Sequence, residues 1–198
     1  MRRHRTHLCQ KRLLQICPLQ ICLLALLLPW LCGLPLYGQL NSSTSSVTLS
    51  ATMGESLTVA ATPSSVSFVL LPGGVALGAV PVVITTTWVL SSSRANVVLD
   101  AYFTSSTQAL ISGTTKIPPS EVLGQVLTGT PVTYTAFTGT GALGPAGAEL
   151  TLFTQPITVL NYSALRVDTL TLEVNLGSQT QLPAGTYTGT LTLAAQAL

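Results

Sequence analysis

The sequence predicts an all-β protein, an antiparallel β-sandwich of about eight or nine strands behind an N-terminal signal helix. Three observations predict it. Beyond residue 38 nearly every apolar run alternates with Ser or Thr at period two, the signature of a strand with one buried face. Turn signals rich in Gly, Pro and Ser recur at fairly even spacing between these runs. Threonine, whose branched β-carbon favours strands, supplies 28 of the 160 residues from 39 to 198.

The first element is a leader. Arg2, Arg3, Arg5, Lys11 and Arg12 make a basic start, and Ile16 to Leu36 carries no charge. Pro35 ends the apolar run, and Leu36-Tyr37-Gly38 offers a small residue, Gly38, as the last before cleavage. Basic start, apolar centre and small exit residue are the parts of a secretory signal, and residues 1–38 are assigned to it. The alternative is an uncleaved anchor. The uncharged run is long enough for one by the roughly 20-residue standard, but Pro18, Gln20, Pro29 and Pro35 interrupt it. The expected destination is secreted, periplasmic or cell-surface, with membrane contact only through this segment if it is retained.

Removing the leader changes the chemistry. All four cysteines and both histidines lie within it. Residues 39–198 keep Arg94, Lys116 and Arg166 against Glu55, Asp100, Glu121, Glu149, Asp168 and Glu173, a net charge of −3. Three bases leave no phosphate-binding footprint, so nucleic acid is not an expected partner.

Residues 39–46 read as a flexible Ser-rich linker, and residues 47–198 as one domain. Val47, Leu49, Ala51 and Met53 alternate as a first strand, and Leu57, Val59 and Ala61 as a second. Val66, Phe68 and Leu70 follow, ended by Pro72-Gly73-Gly74. Val80 to Leu90 is a strand with Trp88 on its inner face. A short polar loop leads to Val97, Leu99, Ala101 and Phe103, and the two runs predict a hairpin. Residues 109–119 suggest a short strand and a prolyl turn; residues 120–127 fit either one helical turn or a loop. Val132, Tyr134 and Ala136 suggest a strand, followed by a Gly-rich loop from Gly139 to Gly147. Leu150, Leu152, Ile157 and Val159 return to a sheet, with Pro156 marking an edge or bulge. Finally, Leu170, Leu172, Val174 and Leu176, then Tyr187, Gly189, Leu191, Leu193 and Ala195, predict a long hairpin with a core face and a hydroxyl face.

The segment Leu182-Pro183-Ala184-Gly185-Thr186-Tyr187-Thr188-Gly189-Thr190-Leu191-Thr192-Leu193 resembles the last strand of bacterial exported Ig-like domains, including pilin-like and spore-coat-like fimbrial subunits. Thr62 to Phe68 is similar to the opening of such surface sandwiches. The resemblance implies a structural, adhesive or assembly role, with the chain itself or other surface subunits as partners. It also implies that an alternating N-terminal strand such as Val47 to Met53 can complete a neighbour's sheet; the alternative is an ordinary first strand.

Catalytic chemistry finds little material. Without His or Cys beyond the leader there is no Ser-His-Asp triad, no Cys nucleophile and no His or Cys zinc site. Lys116, before Ile117-Pro118-Pro119, reads as solvated, and Gly139 to Gly147 lacks the lysine of a phosphate loop. Glycosidases need only two carboxylates, but Asp100, on the Val98/Tyr102 face, and Asp168, beside Arg166, read as scattered solubilising groups. No Asp-x-Asp-x-Asp loop suggests calcium, and no cofactor is expected. The expectation is a protein that is not an enzyme. A carbohydrate- or ligand-binding module using loop aromatics is the alternative, with Tyr162, in a polar loop, as the candidate contact. Asn41 and Asn161 head N-glycosylation patterns, a motif common by chance.

Overall fold

The computed structural model describes residues 40–198; the predicted signal helix and Gly38 lie outside the described residues. Residues 40–50 and residues 51–198 form separate units, and the first carries no strand among its described residues.

Residues 51–198 hold eleven strands and one 3-10 turn: β1 (Ser56–Thr62), β2 (Val75–Leu77), β3 (Val82–Val89), β4 (Asn96–Tyr102), β5 (Leu110–Ser112), β6 (Thr115–Ile117), the turn Pro119–Glu121, β7 (Val122–Val126), β8 (Thr135–Ala136), β9 (Glu149–Pro156), β10 (Ser163–Asn175) and β11 (Thr192–Ala197). One sheet runs β1-β3-β10-β7-β8, with β2 paired to the end of β10; a second runs β11-β4-β9; β5 and β6 form a separate hairpin. Every pairing is antiparallel.

The two larger sheets close on one core, so the predicted sandwich is the observed architecture. Ile84, Trp88, Leu170, Leu172 and Val174 face it from one sheet; Val97, Leu99, Ala101, Leu150, Leu152 and Phe153 face it from the other. The Trp88 indole Nε1 donates to the Asn161 carbonyl at 2.9 Å, which satisfies its one polar atom. In β9 the register against β4 shifts between Leu99 and Asp100, which pair with Phe153 and Thr151. The skipped residue, Leu152, forms a bulge, and the extra residue lets Leu152 and its neighbour Phe153 both turn inward.

The predicted hairpins are corrected. β3 pairs with β1 and β10, whereas β4 pairs with β11 and β9, so residues 91–95 cross between sheets. Likewise β10 and β11 belong to different sheets, and residues 186–191 pair with a strand only at the Ile111↔Thr188 bridge. Period two reports which face is buried; it carries no information on which strand lies alongside. Two predicted strands are absent from the sheets. Residues 47–53 carry no strand, with Val47, Leu49 and Met53 each more than 80 % exposed. Residues 65–70 run extended without a ladder, although Val66, Phe68 and Leu70 pack against the core. Residues 120–127, expected as one helical turn or a loop, are corrected: the 3-10 turn ends at Glu121 and Val122–Val126 form β7, a strand that neither reading included.

Candidate functional site

Two features stand out: an open apolar seam between the sheets, and a carboxylate cluster beneath the Gly-rich loop.

The seam follows from the edges. β1 closes one sheet and β11 the other, and the two lie against each other. Past Thr62 the chain leaves β1 through Pro63, and before Thr192 it approaches β11 through Thr186 to Leu191. Between these continuations the sandwich stays open. A cleft of about 310 Å³ is lined by Ala61, Val66, Val82, Phe103, Leu170 and Leu172, among others. A second of about 820 Å³ extends past Leu70, Leu176, Leu182 and Tyr187. Val66, Phe68, Leu110 and Gly189 line both, so the two are parts of one groove. Its flanks are extended segments whose backbone is largely unladdered: in residues 65–70 the Ser67 carbonyl accepts the Ala79 N–H, and residues 186–191 make the single Thr188 bridge to Ile111. Gly189 allows that approach, because a Cβ there would stand 1.8 Å from the Ala109 carbonyl oxygen.

The carboxylates lie on the opposite face of the smaller sheet from the core. Asp100 and Tyr102 alternate on β4; their partners across the ladder are Thr151 and Glu149 on β9. Asp100 is 3 % exposed and Glu149 1 %. The loop 139–147 folds over them, and Gly141 and Gly144 donate their N–H groups to Glu149 Oε2 at 3.1 and 2.9 Å. Only glycine permits this cover: a Cβ at 141 would fall 1.6 Å from Glu149 Oε1, and one at 144 would fall 2.6 Å from the Tyr102 Cβ. Thr151 donates its hydroxyl to Asp100 Oδ1 at 2.7 Å. Burial pushes the Asp100 carboxyl above the usual carboxylate range; the Thr151 hydroxyl pulls it back, and the charge and proximity of Glu149 push it up again. Glu149 Oε1 is buried and receives no hydrogen bond among the described residues.

The expectation of scattered solubilising carboxylates is therefore corrected for three of the six. Asp168, 1 % exposed, faces the interior end of the larger sheet. Arg166 grips it through Nε at 2.8 Å and Nη2 at 3.0 Å, donates to the Thr128 carbonyl and Gln155, and stacks its guanidinium 4.4 Å above the Phe153 ring. Sequence reasoning missed this burial, because an alternating strand marks Asp168 as core-facing only when Arg166 and Asp168 are read in register with Leu170 and Leu172. Lys116 is exposed, as expected, but on β6 rather than in a loop.

Tyr162 is half-buried and lines neither part of the groove. Its carbonyl accepts the Leu90 N–H, a structural contact. Tyr187 borders the groove, with its hydroxyl donated to the Pro183 carbonyl at 2.9 Å. Comparison with protein-family models, curated proteins and solved structures finds no match.

Proposed function

We propose that this protein is an exported, non-enzymatic β-sandwich subunit that assembles with copies of itself or other surface subunits at or outside the cell surface. The observation that carries the reading is the groove together with the exposed run Val47, Leu49, Ala51 and Met53. The groove offers apolar lining and free backbone groups on both flanks. The run offers the complementary element, four apolar side chains on one face of an extended segment. Unpaired strand edges invite pairing with another chain, and β-strand addition draws affinity from the backbone and specificity from alternate side chains.

Chain geometry argues for a neighbour's segment. The groove begins near Ala61, five residues along β1 from Ser56, which is about 17 Å of extended chain. Met53 precedes Ser56 by three residues and reaches at most about 11 Å. Met53 therefore cannot reach the Ala61 end of its own chain's groove, whereas a second copy's run faces no such tether. The low charge adds little repulsion between like subunits.

Light scattering on residues 39–198 across a concentration series tests the reading. Discrete oligomers or growing polymers are expected, reduced to monomer by Leu49→Asp with Met53→Asp on one side or Val66→Asp on the other. A strict monomer at every concentration overturns self-assembly.

A further inference from the structure

The Asp100 and Glu149 carboxylates lack a counter-charge that the described chain supplies. Arg94 pairs with Glu55, Arg166 with Asp168, and Lys116 is exposed on β6. Two carboxylates withdrawn from water are costly unless an opposite charge meets them. Yet donors reach one oxygen of each, against the burial that pushes the Asp100 carboxyl up. Two backbone N–H groups point at Glu149 Oε2 and a hydroxyl at Asp100 Oδ1, and donors of this kind favour the charged carboxylate. Glu149 Oε1 is the remaining buried oxygen, without a partner.

We propose that Asp100 and Glu149 together bind a hard divalent cation, Ca²⁺ or Mg²⁺, with Glu149 Oε1 and the Asp100 carboxylate as protein ligands and water completing the shell. The donor set is oxygen alone, which selects hard cations over zinc or copper. A divalent ion balances the two carboxylates. Two protein carboxylates make a weak site, and the affinity belongs in the roughly 10⁻⁴–10⁻³ M range of extracellular calcium modules. Gly141 and Gly144 have a matching role: they let the loop close over the ligand oxygens where any side chain would collide with them.

Tb³⁺, a luminescent stand-in for such ions, provides the test. Tyr102 lies directly across the ladder from Glu149 and is placed to sensitise its emission. Titrating the purified protein with Tb³⁺ is expected to give saturable emission on tyrosine excitation, displaced by Ca²⁺ or Mg²⁺. Tyr102→Phe should abolish most of that emission while preserving a higher melting temperature in millimolar Ca²⁺ or Mg²⁺ than in EDTA. Asp100→Asn and Glu149→Gln should each weaken Tb³⁺ binding at least about 10-fold, as expected for loss of a charged ligand at close range. If either variant fails to fold, the Tyr102→Phe comparison with unaltered protein decides. Equal melting temperatures in EDTA, Ca²⁺ and Mg²⁺, with no Tyr102-dependent emission, overturn the proposal. So does metal binding that survives in folded Asp100→Asn and Glu149→Gln. A melting temperature that ignores metal but rises as pH falls from about 7 to about 5 also overturns it, since a proton then neutralises the pair.

Discussion

Thr86 is fully enclosed by the core, and its hydroxyl oxygen has no hydrogen-bond partner among the described residues. A buried hydroxyl without a partner costs about 1–3 kcal/mol on mutational evidence. Thr86→Val keeps the branched shape and removes the oxygen, so urea denaturation should show a gain of about 1 kcal/mol. The Arg166–Asp168 pair behaves in the opposite sense. Removing the guanidinium leaves Asp168 charged, buried and unmatched, and Arg166→Ala should lose about 3–5 kcal/mol in the same measurement. The double change Arg166→Ala with Asp168→Asn should recover part of that loss, because no uncompensated charge remains. Trp88 was legible as core from its alternation with Val82 and Ile84, since a large apolar ring on the apolar face of a strand has one favourable place. Asp100 and Glu149 were not legible as neighbours. Their encounter depends on the β4–β9 register and on a loop lying over a sheet face, and neither leaves a periodic trace in the chain.

β1 is fastened at its start by a side chain just outside it. Glu55 accepts the Ser91 N–H at 2.7 Å through Oε1 and the Arg94 guanidinium at 2.8 Å through Oε2, tying the β1 entry to the β3–β4 crossing. The Arg94 guanidinium, foremost, and the Ser91 N–H hold the Glu55 carboxyl down at about 2, from an ordinary 4.5. A carboxyl lowered by folding contributes stability above its unfolded value and loses it as pH falls toward its folded value. The melting-temperature difference between the native protein and Glu55→Gln should therefore hold steady above about pH 5, shrink below pH 4.5 and vanish near pH 2. Elements and their buried faces were readable for β1, β3, β4 and β10, because a sheet packed on one side imposes alternation; in β9 the bulge at Leu152 breaks it, and Ile157 and Val159 lie beyond the strand, while β11 begins only at Thr192. Pairing was not. Short polar loops such as residues 91–95 connect adjacent strands of one sheet and facing strands of two sheets equally well, and β-sandwiches use both.

At the scale of the molecule, the two sheets meet along β1 and β11 and part beyond Thr62, so the core opens into the apolar groove. Val47, Leu49 and Met53 are each more than 80 % exposed. Deleting 47–53 should leave the melting temperature within the small range of exposed substitutions, about 0.5 kcal/mol in stability terms, while removing concentration-dependent association. That pairing of results separates a binding arm from a structural strand. The alternation was legible, but its vacancy was not, since an unpaired strand and a paired one share the same sequence pattern. The long strand β10 carries a different consequence. It joins β3 to β7 and holds β2, yet it begins only at Ser163. A growing chain that ends short of it has the larger sheet in separate pieces: the β1–β3 pair, the β7–β8 pair and an unmatched β2. Contacts so distant in sequence form late and slowly. The larger sheet therefore closes over the core only once β10 has been made, late in synthesis.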